Sequence, residues 1–228
     1  VRIYLADHEC SNIGVSNQEL QGLLQEAMDR FWNSVPTSRL RLEVAGEKDV
    51  SSAFQTDRIC QLGTDCDPTP DLMVDGGSII VSCNTSTDNF GASNILAVTV
   101  PNNIEGRTIN GALVLINDRA DNQFKDKGAE ERIAVLAHEI GHAIGLGHTE
   151  TARNLMHYQS HPSRKALGWD DLRGVTYLYP AEQPFGGCGS IGPPEERQGG
   201  AASLLLGFLM TAGMVWFRRP CLKRPKAA

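Results

Sequence analysis

The chain has 228 residues, 41% hydrophobic and 21% charged, the balance of a globular protein long enough for one ordinary domain with a real core. Its net charge of −6 is uneven: Arg218, Arg219, Lys223, Arg224 and Lys226 put +5 on residues 218–228, which leaves −11 on residues 1–217. An acidic body of this kind argues against nucleic acid as a partner.

Val1–Ala6 alternates apolar and polar residues and predicts a half-buried strand; beginning at Val1 without an initiator Met, the chain reads as processed or truncated. Ser16-Asn17-Gln18-Glu19 is a capping box, opening a helix with apolar positions Leu20, Leu23, Leu24, Ala27, Met28, Phe31 and Val35, closed by Pro36. Leu40, Leu42 and Val44, alternating with Arg39, Arg41 and Glu43, predict a second strand. Asp49–Pro70 reads as loop. Strands are expected at Leu72–Val74 and Ile79–Cys83 around an Asp75-Gly76-Gly77 turn, then at Ile95–Val100 and Ala112–Asn117. Asn84-Thr85-Ser86 fits a glycosylation sequon.

Ala129–Ile144 predicts a helix burying Ile133, Leu136, Ala137, Ile140 and Ile144, with Glu130 and Glu131 in its first turn. It carries His138-Glu139-Ile140-Gly141-His142-Ala143-Ile144-Gly145-Leu146-Gly147-His148, which reads H-E-x-x-H-x-x-G-x-x-H. His138 and His142, four apart, stack on one helix face within reach of one metal ion. Glu139 is rotated by about 100° and stands beside the ligands rather than among them. A continuing helix would carry His148 roughly 9 Å beyond His142, so the chain must turn back. Gly145 is the residue type that permits a left-handed turn at a helix end. Three imidazoles leave one tetrahedral position open, as in a catalytic zinc site rather than a closed structural one. Glu139 is then placed as general base toward a zinc-acidified water.

Asp170 or Asp171 is expected to cap a last helix, Leu172–Tyr179, stopped by Pro180, so the body (1–182) has an α+β order. Residues 183–200 are rich in Gly and Pro, as a linker is; 201–217 carry no charge, and predict a transmembrane helix; 218–228 form a basic cytoplasmic tail. The catalytic body then lies outside the membrane, at the cell surface, in the periplasm or secreted. Six cysteines are present. Cys10, Cys60, Cys66 and Cys83 allow two disulfides in three connectivities, which fits an oxidising compartment.

From Ala129 to Tyr179 the sequence resembles the matrixin-type catalytic domain of the metzincin metallopeptidases. Besides the long zinc motif, Met156 in Asn154-Leu155-Met156-His157-Tyr158 matches the family's Met-turn, eight residues after His148. Trp169–Tyr179 is similar to its closing helix, D-D-x-x-G-x-x-x-L-Y. The resemblance implies a zincin-like fold: a twisted, mostly parallel sheet with an antiparallel edge strand, and three helices. It implies one catalytic zinc on His138, His142 and His148, because a second, structural zinc has no counterpart around Ile79–Asn117. Peptide substrate would lie extended along the edge Ile95–Val100 of a monomeric enzyme, and internal peptide bonds would be hydrolysed. Met156 would form the hydrophobic floor below the metal. Tyr158, in a Met-His-Tyr similar to that of astacins, would be a fifth ligand or an oxyanion donor. Asp118, Asp121 and Asn122 would offer oxygens to calcium, as loops there do in matrixins. His8, His157 and His161 are read as non-ligands. The tail, with Cys188-Gly189, a short apolar span and arginines, resembles a bacterial sorting signal of the myxobacterial kind. The alternative is a catalytically silent zinc module that binds peptides or mediates adhesion at the cell surface.

Overall fold

In a computed structural model, residues 1–60, 72–159 and 166–181 are described. The predicted linker, the 201–217 span and the basic tail lie outside them, as do Cys66 and His161. Among the described residues no helix is long and apolar enough to cross a membrane. Val1–Phe185 forms one compact unit.

Five strands build the sheet: β1 (Arg2–Ala6), β2 (Glu43–Lys48), β3 (Ser78–Asn84), β4 (Ala97–Glu105) and β5 (Thr108–Asn117). Their order is β2-β1-β3-β5-β4. All neighbours are parallel except β4, which runs antiparallel to β5 at the sheet's edge. The helices are α1 (Asn17–Ala27), the four-residue α2 (Ala53–Thr56), α3 (Ala129–Ala143) and α4 (Trp169–Leu178). The mixed α+β architecture with an antiparallel edge strand is therefore as expected.

Apolar residues alternating along the central strands feed two cores, one on each face of the sheet. Ile79, Val81, Ala112, Val114 and Ile116 join Leu20, Leu24, Leu136 and Ile140 on the face covered by α1 and α3. Ile80, Leu113, Leu115 and Val100 pack with Phe54, Leu72 and Phe90 on the other. A disulfide joins Cys10, just after β1, to Cys83 in β3. Cys60 is also disulfide-bonded.

Several expected elements differ. Ser16 does cap α1, its hydroxyl accepting from Glu19 N at 3.2 Å, but the Glu19 carboxylate pairs with Arg132 of α3. Beyond Ala27 the helix widens into a π-type turn, Met28–Trp32, which buries Met28, Phe31 and Trp32 together. Strand β2 begins at Glu43, so Leu40 and Leu42 are buried but outside the ladder. There the Asn33 amide accepts from Leu42 N and donates to Leu42 O, replacing a strand partner. Leu72–Val74 is likewise no strand: the Asn102 amide accepts from Val74 N and donates to Leu72 O. Asn84 of the sequon is buried, its amide donating to Phe54 O and Asp57 O, so it offers no surface for a glycan.

Candidate metal centre

Helix α3 spans Ala129–Ala143 and presents His138 and His142 one turn apart. It ends as the sequence requires. Ile144 is the C-cap and Gly145 takes φ +99°, a conformation other residues adopt only under strain. Gly145 N donates to His142 O and Leu146 N to Gly141 O, both at 2.9 Å, which is the Schellman closure. The reversal brings His148 back over the helix. Thr149 N then donates to Met156 O at 2.9 Å, tying the segment after His148 to the Met156 turn.

The three Nε2 atoms converge: 3.1 Å separates His142 from each of the other two, and 3.3 Å separates His138 from His148. Two of the rings are oriented by main-chain carbonyls. His138 Nδ1 donates to Leu155 O and His142 Nδ1 to Leu146 O, each at 2.8 Å. A carbonyl only accepts, so these Nδ1 atoms carry hydrogens, and in its neutral form each of the two rings presents a bare lone pair at Nε2. Lone pairs that face one another so closely call for a cation between them. Tetrahedral zinc with Zn–N bonds of about 2.0–2.1 Å holds its nitrogens about 3.3 Å apart, so the donor set fits zinc. Burial holds the His142 imidazolium below its ordinary range, helped by neighbouring His148 and opposed by the Leu146 carbonyl. Among the described residues this is the one group of His, Cys, Asp or Glu that gathers to hold a metal.

Glu139 is buried on the other flank of the helix, 8% exposed. Its Oε2 accepts from the Thr99 hydroxyl of β4 at 2.7 Å. Among the described residues Oε1 has no hydrogen-bond partner. Burial pushes the carboxyl up to about 7, the Thr99 bond pulling the other way. A cation on the histidines would lower it again.

Below the histidines, Met156 is buried against the interior glycine of α3. A β-carbon on Gly141 would fall 2.3 Å from Met156 Sδ and 2.8 Å from Trp32 Cζ2. Trp32 Nε1 donates to Ala137 O at 2.9 Å, fixing α3 one residue before His138. Neither Asp170 nor Asp171 is the cap of α4. Gly168 is, and Asp171 is the third helical residue, whose carboxylate accepts from Gly168 N (2.7 Å), Leu155 N (2.6 Å) and Met156 N (3.1 Å). Asp171 thus holds the Met156 turn, whose Leu155 carbonyl orients His138. Tyr179 completes the frame, its hydroxyl donating to Ile144 O at 2.8 Å.

Tyr158 is 60% exposed, its ring 4.3 Å from that of His157. Asp118 Oδ1 accepts from Asn12 N and Ile13 N, Asp121 pairs with Arg119, and the Asn122 amide bonds Ser93 O, Ile95 O and Phe124 N. These polar groups brace loops within the protein, and calcium is not evidenced. His8 bonds Ser82 and His157 bonds Gln159, away from the three-nitrogen cluster. Sequence reasoning missed Thr99 and the true role of Asp171. A glycine inside a helix, Gly141, was the one visible signal of close packing there.

The family model Matrixin (Peptidase_M10) matches residues 71–180. That range holds β3 through α4 and every residue of the centre. Metalloendoproteinase 2-MMP of Arabidopsis thaliana is 36% identical over 63 residues, 27% of this chain and 16% of that protein. Matrix metalloproteinase-23 of Homo sapiens is 48% identical over 48 residues, 21% of this chain and 12% of that protein. The chain thus spans under a fifth of the length of either relative. A solved structure, metalloproteinase-II of Bacteroides fragilis, aligns with 78% of this chain and 52% of its own at 13% identity and a TM-score of 0.40. The family match and the sequence relatives support a metzincin-like catalytic domain and a metalloprotease.

Proposed function

We propose that the protein is a zinc-dependent metalloendopeptidase that cleaves extracytoplasmic proteins. The observation that carries this reading is the convergence of three imidazole Nε2 atoms beside a buried carboxylate with one oxygen uncommitted. His138, His142 and His148 would hold the zinc. Zinc in such a site supplies a Lewis acid that acidifies water and polarises a carbonyl.

Glu139 takes the proton from the attacking water at Oε1 and returns it to the leaving amine. The low-dielectric wall around the Glu139 carboxyl also keeps bulk water away. Substrate is held extended along the outer edge of β4, the last strand of the sheet, whose free main-chain groups pair by strand addition. Tyr158 is a candidate donor to the substrate oxyanion, or a further ligand. Residues 201–217 anchor the protein, with its catalytic body outside the membrane, as a monomer. A silent peptide-binding module would have no use for the Glu139 carboxylate, whose burial costs free energy.

The test is cleavage of a peptide library by the zinc-loaded full chain, with products sequenced. Cuts inside the peptides, absent with Glu139→Ala although its zinc is retained, are expected. Zinc-loaded protein that cuts nothing, or trims only termini, would refute the reading.

A further inference from the structure

Thr99 sits in the middle of β4 opposite Val114 of β5, so its side chain shares the α3 face of the sheet with Val114, Ala97 and Pro101. Its hydroxyl lies 2.7 Å from Glu139 Oε2 and 2.9 Å from Glu139 O. We propose that Thr99 is a positioning residue for Glu139, holding Oε2 so that Oε1 stays turned toward the reacting water. The proposal rests on the peptidase reading of the site.

Packing alone does not call for a hydroxyl at this position. Valine has the same shape, favours strands as strongly, and would suit a face shared with Ala97 and Val114. What the hydroxyl adds is a hydrogen-bond partner for a buried carboxylate. A glutamate side chain has three rotatable bonds, and the Thr99 bond removes that freedom at its tip.

The geometry also suits both ends of a proton transfer. While Glu139 is charged, Thr99 donates its one hydrogen to Oε2. Once Oε1 has received the proton from water, the need at Oε2 weakens, and the hydroxyl can turn to donate to the Glu139 main-chain oxygen. No atom has to move between the two arrangements except the hydroxyl hydrogen. Because Thr99 belongs to the strand on which substrate would be laid, the same element fixes both the base and the peptide it serves.

The test compares full-length wild type, Thr99→Val and Thr99→Ser, each loaded with zinc, for metal content, melting temperature, kcat, KM and affinity for a peptide hydroxamate. A hydrogen bond to a charged group predicts a fall in kcat of about ten- to a hundredfold for Thr99→Val. KM should stay within about twofold, one zinc should remain bound, and Thr99→Ser should recover most of the loss. Hydroxamate affinity should fall in Thr99→Val and return in Thr99→Ser, because the hydroxamate proton must also find Glu139. Unchanged kcat in Thr99→Val, equal loss in Thr99→Ser, or loss of the fold or the zinc in Thr99→Val would each overturn the proposal. A wild type that cuts no peptide would refute the peptidase reading instead. The hydroxamate series would then decide on Thr99 alone.

Discussion

Met156 stands where a side chain on Gly141 would have to be: a β-carbon there would lie 2.3 Å from the methionine sulfur. The contact joins the middle of the ligand helix to the turn beneath it. Alanine in place of an interior helical glycine ordinarily gains up to about 1 kcal/mol. Here the sign reverses. Met156 is buried and the Trp32 ring stands 2.8 Å from the same point, so neither can withdraw freely. Gly141→Ala is expected to lose about 1–3 kcal/mol by thermal or urea unfolding, and to bind zinc more weakly as α3 shifts from Leu155 O.

Gly145 answers a different need, a backbone at φ +99°. Gly145→Ala places a β-carbon in ordinary contact, 3.5 Å from Ile109 Cδ1 and Leu178 Cδ1, so the cost is conformational rather than steric. A loss of about 1 kcal/mol is expected, and Gly145→Asn should lose less because asparagine tolerates this region. Zinc affinity should fall further than stability does, since the same turn sets the return of His148. Isothermal titration with zinc beside thermal unfolding separates the two effects.

Asp171 is expected to matter to the metal through the Met156 turn. Its carboxylate receives the amides of Gly168, Leu155 and Met156, and Leu155 in turn orients His138. Asp171→Asn can put an amide nitrogen, which cannot accept, against one of these donors. Expected are a lower melting temperature and a fall of about ten- to a hundredfold in zinc affinity, the range for lost outer hydrogen bonds of a metal ligand. Asp170→Asn, one position along on the exposed side of α4, should change neither.

Much of the centre could be read from residue names because its chemistry is tied to helical spacing. His138 and His142 must share a face, and Gly145 must let the chain return. The sheet was less legible where alternation alone was the signal. Leu40–Leu42 and Leu72–Val74 carry the period of a strand, yet the Asn33 and Asn102 amides take the place of ladder partners. A side chain standing in for a strand leaves no trace in the pattern of its neighbours. Asp171 was misplaced by three positions for a similar reason: an aspartate suits both the cap and the first turn of a helix, and only the donors around it decide. Thr99 had no sequence signal at all, because a threonine in a strand is ordinary until the carboxylate opposite it is known.

One zinc on His138, His142 and His148 would be what makes this protein a peptidase. Stepwise addition of zinc to metal-free full-length chain, with bound metal and peptide cleavage followed together, tests it most directly. Cleavage should rise linearly with bound zinc and stop at one equivalent, while Glu139→Ala binds the same single equivalent and cuts nothing. Cleavage independent of zinc, or one tightly bound zinc with no cleavage in the wild type, would contradict the account.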